Sequence, residues 1–364
     1  MCPARGVPLR VAWQTALYGP QGFYRREVPG DHFRTSSTAS PGFAEPVIEL
    51  ARRHGLSSVW DVGAGGGELL TAIHRRAPDL ELCGVDVRPR PVGLPPPVGW
   101  QPELTPACDG LVFANELLDN VACDVVELDA EGRYRSVEVD PLDGIEHLGD
   151  HVLADQEGWL NRWWPLMEPG QRAEIGLTRE AFWARTCAMN PNGVCVAVDY
   201  GHLAAGRPMG GSLSSYRSGT QTPVTFDGDH DITAGVAFDA LAAVVGGVPV
   251  RQRDLLHDLG ISAARPALSR AADDPRGYLR DLSAATQTAE LMATGGLGDF
   301  YWLVTPAPAP GPRRIRERKS STQSSSGQVD STSQVAPASA YSSAGTPSFR
   351  VATTSQPGGA SPPR

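Results

Sequence analysis

Apolar residues recur along this chain with two periods, and the switches between them predict its elements. Residues 9–18 (LRVAWQTALY) set Val11, Ala12, Ala16 and Leu17 at helical spacing. A turn-rich aromatic segment, Tyr18-Gly19-Pro20-Gln21-Gly22-Phe23-Tyr24, follows, and then a polar stretch over 31–38 placed where a loop would fold over a pocket or serve as a plain lid. Residues 43–53 predict a helix that Gly55 ends. Short apolar runs then alternate with helical segments. Strands are expected at 58–62, 80–87, 98–101, 110–114, 193–200 and 300–304, and helices at 68–76, 238–245 and 275–294. Residues 251–262 suit a helix or an edge strand, and the prolines of 89–97 exclude a helix there. The alternation predicts an open α/β sheet.

Two segments interrupt it. Residues 124–139 alternate polar and apolar around Ala130-Glu131-Gly132, a β-hairpin signal. Residues 157–188 read as helical and hold Trp159, Trp163, Trp164, Phe182 and Trp183, an aromatic density expected to pack an inserted helical cap. The expected organisation is an N-terminal helix and lid segment over 1–57 and a core over 58–305, with the insertion at about 124–190. Past Pro306 the chain turns to Pro, Ser, Thr, Gly and Ala; too little apolar bulk remains to offset ordering entropy, so 306–364 is expected to be a disordered tail.

Charge sharpens the choice of partner. The whole chain is −9, but residues 313–319 (RRIRERK) carry +4 and residues 320–364 a further +1, which leaves −14 on residues 1–312. An acidic body argues against nucleic acid and suits basic proteins or peptides. No run approaches the ~18 apolar residues of a membrane span, and Met1 to Arg10 lacks a secretory core segment, so a cytoplasmic location is expected. The six cysteines show neither CxxC nor metal-ligand spacing; reduced thiols and no metal site are expected, with Cys83 buried in its strand. The sequence leaves the oligomeric state open.

The chemistry gathers at Asp61-Val62-Gly63-Ala64-Gly65-Gly66-Gly67-Glu68, between a strand and a helix. Glycines at 63, 65 and 67 permit positive φ and close approach of a ligand to bare backbone. A dinucleotide fingerprint would place its third glycine at 68, where Glu68 stands and would repel a pyrophosphate. With Asp61 ahead of the turn, the pattern suits a ligand carrying a cation, such as S-adenosylmethionine. Asp86, 19 residues beyond Gly67, stands at the distance for a carboxylate that holds a ribose diol. Asn115, Glu116 and Asp119 follow the 110–114 strand and should emerge at the same rim, where an amide and two acids suit a cationic nucleophile or a sulfonium. Asn115 also suits a cap on a helix starting at Glu116. Asp199 closes the 193–200 strand on that rim.

These motifs, in order, resemble the MidA-like S-adenosylmethionine-dependent methyltransferases, a family that includes the mitochondrial protein arginine methyltransferase assisting assembly of respiratory complex I. The resemblance covers about residues 10–305. It rests on Tyr18-Gly19 with Gly22-Phe23-Tyr24, Gly30-Asp31-His32-Phe33-Arg34-Thr35, the glycine turn, and Asn115-Glu116-Leu117-Leu118-Asp119. Asp199-Tyr200-Gly201, Gly211-Ser212-Leu213 and Asp231-Ile232-Thr233-Ala234 continue it. The resemblance implies a Rossmann-like α/β methyltransferase sheet with an inserted β-hairpin and helical cap. It implies S-adenosyl-L-methionine as cofactor, held by Asp61, Gly63, Gly65, Gly67, Asp86 and Asn115, with Asn115, Glu116 and Asp119 catalytic. It further implies methylation of a protein arginine, with a respiratory-complex subunit as a candidate partner; a small-molecule acceptor or a catalytically silent assembly factor are the alternatives. Two positions depart from the family pattern: Thr38 replaces an acid, and Gly235 replaces a histidine.

Overall fold

The structure, a computed structural model, describes residues 6–26, 41–105, 109–140 and 143–306, all within one compact unit, Met1–Ala307. The expectations for the 31–38 loop, Thr38 and the 306–364 tail (Pro306 excepted) lie outside the described residues.

The chain opens with β1 (Val7–Pro8), α1 (Leu9–Tyr18) and α2 (Phe23–Arg26), and resumes with α3 (Ala44–Arg53). Next come β2 (Ser58–Val62), α4 (Glu68–Arg76), β3 (Glu81–Val85), β4 (Gly99–Gln101) and β5 (Leu111–Asn115). An inserted part follows: β6 (Asp124–Leu128), β7 (Tyr134–Val139), β8 (Glu146–His151), α5 (Ala154–Trp163), β9 (Arg172–Ile175) and α6 (Leu177–Ala188). The chain returns through β10 (Val194–Asp199), β11 (Gly201–His202), β12 (Ser214–Arg217), β13 (Thr220–Thr222), β14 (Asp231–Thr233), β15 (Val236–Ala237) and α7 (Phe238–Val245). It ends with β16 (Pro249–Arg251), α8 (Gln252–Asp258), a short turn of helix, α9 (Pro275–Leu291) and β17 (Tyr301–Pro306).

Seven strands form the central sheet in the order β16-β17-β10-β5-β2-β3-β4. Neighbours among β10, β5, β2, β3 and β4 pair in parallel, whereas β17 runs antiparallel to β10 and to β16. The strand order reverses between β2 and β5, and in open α/β sheets a ligand crevice forms beyond the carboxyl ends of strands at such a point. The glycine turn and Asn115 therefore lie on either side of one crevice. Val59, Leu111, Phe113, Val196, Val198 and Trp302 fill the layer between the sheet and its helices, with Phe43, Val47, Leu70 and Ile73 packed on them. Continuous apolar strands of this kind are buried on both faces, which is why they show so clearly in the sequence.

The insertion differs from the expected hairpin and helical cap in two ways. β6 and β7 do pair around Gly132, at φ +75°, but they belong to a second sheet with β1, β8 and β9. The stretch 157–188 is not one helical cap: β9 divides it and pairs antiparallel with β6. Its four residues are too short a signal to stand out between two helices. The tryptophans pack as expected, with Trp159 and Trp164 buried against Val126, Leu128 and Ile175. Cys83, expected to be buried, is half-exposed.

α1 lays Leu9, Trp13, Ala16 and Leu17 on Ala122, Val125, Val137 and Ile232, and the Trp13 indole N–H donates to the Ile232 carbonyl at 2.9 Å. This packing carries Tyr18 and Tyr24 to the rim of the central sheet. Among the described residues no helix is long and apolar enough to cross a membrane.

Candidate active site

The glycine turn forms where β2 ends. Gly63, Gly65 and Gly67 have φ of +77°, +61° and +77°, the left-handed region that side chains disfavour. Their surroundings differ. A Cβ at Gly63 would meet Leu117 at 2.9 Å and one at Gly67 would meet Leu94 at 2.6 Å, so both serve close packing. A Cβ at Gly65 would find nothing nearer than the Arg88 guanidinium at 3.6 Å. Gly65 is thus the position at which bare backbone faces open space.

Asp86 stands just past β3. Its Oδ2 accepts from the Gly65 N–H at 2.9 Å, and its Oδ1 accepts from the Arg88 N–H at 2.9 Å. The Arg88 guanidinium reaches both oxygens, at 3.2 and 3.3 Å. The sequence spacing brings turn and acid together as expected, but Arg88 carried no signal of its role. Asp61, only 4% exposed, is pushed up to about 8 by burial and then by the charges of Asp86 and Glu68. A neighbouring cation would return it to the ionised form.

Asn115 ends β5. Its amide donates to Glu116 Oε1 at 3.0 Å, while its buried Oδ1 has no partner among the described residues. Glu116 takes φ +50°, and its N–H donates to the Val198 carbonyl at 2.8 Å. No helix starts there; the chain makes a single 3₁₀ turn over Leu118–Asn120, so Asn115 caps nothing. The competing bond to β10 accounts for the difference, because it diverts the backbone out of helical geometry.

Asp119, 6% exposed, lies within that turn. Its N–H donates to Asp199 Oδ2 at 3.1 Å, its carbonyl accepts from Ala234 N–H at 3.1 Å and Arg179 Nη2 at 2.8 Å, and its Oδ2 accepts from the Thr233 hydroxyl at 2.5 Å. Oδ1 is buried without a hydrogen-bond partner among the described residues. Burial raises the Asp119 carboxyl to about 6, opposed by Thr233 and Arg179. Asp199 is fully buried and holds the turn by accepting from the N–H groups of Leu118, Asp119 and Tyr200; burial and the charges of Asp119 and Glu116 push it well up.

Sequence reasoning missed three contributors. Asp231 accepts from Tyr24 at 2.9 Å and Asn120 at 3.1 Å, and is pushed up to about 7 by burial and by Asp119. Tyr18 stacks on Tyr24 with ring centroids 5.4 Å apart; burial and the charges of Asp231, Asp119 and Asp86 all raise its hydroxyl. The aromatic segment and the Asp231-Ile232-Thr233-Ala234 motif could have pointed to these two. Nothing marked Arg179, buried at 3% exposure. It donates to the carbonyls of Val121, Gly235 and Asp119 at 3.0, 2.9 and 2.8 Å. Its cation partly offsets the surrounding acids. At Gly235 a Cβ would lie 3.4 Å from the ring of His202, a buried imidazole lowered to about 3 by burial, Arg207 and Arg179.

Comparison with known proteins bears on this site. A family model described as "Putative S-adenosyl-L-methionine-dependent methyltransferase" matches residues 86–251, from the acid after β3 through β16. Among solved structures, a Burkholderia thailandensis protein described as a methyl-transferase candidate, with S-adenosyl-homocysteine bound, is 25% identical with a TM-score of 0.67. That similarity covers 83% of this chain and 88% of the other. A native crystal structure of a protein of the same superfamily and organism is also 25% identical, with a TM-score of 0.66 over 83% of this chain and 87% of that one. No curated protein matches. The open face of Gly65, the acid of Asp86 and the cation-seeking Asp61 fit such a cofactor. Over these residues the chain is similar to S-adenosyl-L-methionine-dependent methyltransferases, and the findings indicate S-adenosyl-L-methionine as its cofactor.

Proposed function

We propose that this chain methylates a protein arginine and that the rim formed by the ends of β2, β3 and β5 is its catalytic site. One observation carries the reading: Asp119 Oδ1 is a buried carboxylate oxygen with no hydrogen-bond partner among the described residues, in a turn whose main chain and Oδ2 are held. A buried acceptor left unpaired costs about 1–3 kcal/mol, a cost that a bound donor would remove.

The bound cofactor supplies a methyl group on a sulfonium, already activated for attack. The residues then align the acceptor and manage charge. Within the turn that Gly63 and Gly67 shape by close packing, Gly65 brings bare backbone against the cofactor, Asp61 faces its amino-acid end, and Asp86 exchanges the Arg88 guanidinium for the ribose hydroxyls. Asn115 and Glu116 face the nucleophile. Asp119, pushed up only to about 6, is mostly ionised at neutral pH. Its Oδ1 orients a guanidinium and takes the proton that the nitrogen loses once the N–C bond has formed and sulfur has left with the C–S electron pair. The acidic body suits a basic protein substrate. By resemblance that substrate is a respiratory-complex subunit.

A second reading keeps the fold without transfer, as an assembly or interaction factor. The Arg88 guanidinium on both oxygens of Asp86 favours it, since the ribose acid is already engaged. Methyl-labelled cofactor incubated with cell lysate decides. The expected result is label on protein arginine, reduced about 10²- to 10⁴-fold in Asp119→Asn, the range for a lost general base, with cofactor affinity unchanged. Label confined to small molecules would move the acceptor class, and cofactor binding without any transfer would leave the silent factor.

A further inference from the structure

We infer that Tyr200 and Thr233 form a directed donor chain that fixes Asp119 with its Oδ1 turned to the acceptor, which makes Thr233 the positioning residue of the transfer reaction. The inference rests on the proposed role of Asp119 and adds two residues to it.

The direction of the chain follows from proton counting. An ionised carboxylate only accepts, so the Thr233 hydroxyl must spend its one proton on Asp119 Oδ2, at 2.5 Å. The Tyr200 hydroxyl lies 2.7 Å from the same Thr233 oxygen and is then the donor to it. Both hydroxyls thus point toward the carboxylate, and successive donors of this kind strengthen one another in a low-dielectric site. Thr233 is itself fixed: it lies on β14, which pairs with β12 through Ser214 opposite Thr233. Tyr200 directly follows β10 and packs, half-buried, against Phe300, ring centroids 6.1 Å apart. The main chain of Asp119 is held by Asp199, Ala234 and Arg179. With Oδ2 taken by Thr233, rotation of the carboxyl is blocked, and Oδ1 keeps one direction.

The charged and titratable groups around Asp119 explain why a donor chain is needed. Asp199 at the end of β10, Asp231 on β14 and Glu116 in the same loop are acids, and Tyr18, Tyr24 and Tyr200 are half-buried phenols. Arg179 on α6 is the cation whose charge acts on Asp119. Burial opposes ionisation of Asp119; Thr233, Arg179 and the backbone N–H groups of Asp119 and Asn120 favour it.

The test compares Thr233→Val, which keeps the shape and removes the hydroxyl, with Thr233→Ser, which restores it. Methyl transfer from labelled cofactor to lysate protein should fall about 10- to 100-fold in Thr233→Val, the worth of a hydrogen bond to a charged group. The acidic limb of its pH profile should move upward, cofactor affinity should hold, and Thr233→Ser should recover most of the rate. Tyr200→Phe should shift the limb the same way by less. Carbon-13 NMR of aspartate-labelled protein reads the same property without activity: the Asp119 carboxyl, assigned with Asp119→Asn, should titrate higher in Thr233→Val. An unmoved titration, or a Thr233→Ser that stays as slow as Thr233→Val while folded, overturns the inference. A wild type that transfers no methyl group removes the proposed function, and the NMR shift then decides the donor chain on its own.

Discussion

Gly65 is where a single atom decides between an open and a closed cofactor site. Its neighbours Gly63 and Gly67 are glycines because Leu117 and Leu94 leave no room, which is a packing reason. At Gly65 the reason is the ligand. Gly65→Val is therefore expected to abolish cofactor binding by calorimetry while the chain still unfolds cooperatively. Its φ of +61° adds a backbone cost of about 1–2 kcal/mol, enough to lower Tm by a few degrees. Retained affinity would mean that the cofactor does not approach this face. The three glycines, Asp61 and Asp86 were legible because short-range geometry demands those residue types at fixed offsets. Arg88 and Arg179 were not, since an arginine looks the same in sequence whether its partner is water, a carboxylate or three carbonyls.

At the scale of elements, the rim is held by contacts between segments far apart in sequence. Arg179 on α6 bonds the loop after β5 and the loop between β14 and β15 through three carbonyls. Arg179→Met keeps the length and apolar stem of the side chain but strips those acceptors of donors in a buried place. Each unsatisfied group costs about 1–3 kcal/mol, so a loss of roughly 3 kcal/mol or more is expected as a lower urea midpoint. A shift below about 0.5 kcal/mol, typical of surface positions, would show that water replaces the guanidinium. The parallel strands were legible as continuous apolar runs. β9 was not, because four residues between two helices give too little alternation to read, and the expected helix at Glu116 gave way to the tertiary bond to Val198.

For the whole molecule, the buried acids set how stability depends on pH. Asp61, raised to about 8, Asp231, raised to about 7, and Asp199, raised well up, bind protons in the folded chain that the unfolded chain has already released at neutral pH. The folded state therefore holds the greater number of protons, and stability falls as pH rises toward those values, by up to about 1.4 kcal/mol per pH unit for each proton. His202 acts the other way, lowered to about 3 so that stability is lost as pH falls below the usual histidine range. Between pH 6.5 and 8 the acids outweigh His202, so the cofactor-free protein should melt at lower temperature at the alkaline end. Asp61→Asn should flatten that slope, and a flat wild-type profile would contradict the burial of these groups. The overall fold class was legible from the order of strands and helices, and with it the rim shared by Asp61, Asp119 and Asp199; the approach of Asp231, on β14 outside the central sheet, exists only once the chain is folded.

The most direct measurement is a crystal structure of the chain soaked with S-adenosyl-homocysteine. The account predicts the nucleoside against Gly65 with its ribose hydroxyls on Asp86, the Arg88 guanidinium displaced, and the sulfur directed toward Asn115 and Asp119. A nucleoside bound elsewhere, or Arg88 still on both oxygens of Asp86 with the ligand in place, would contradict it.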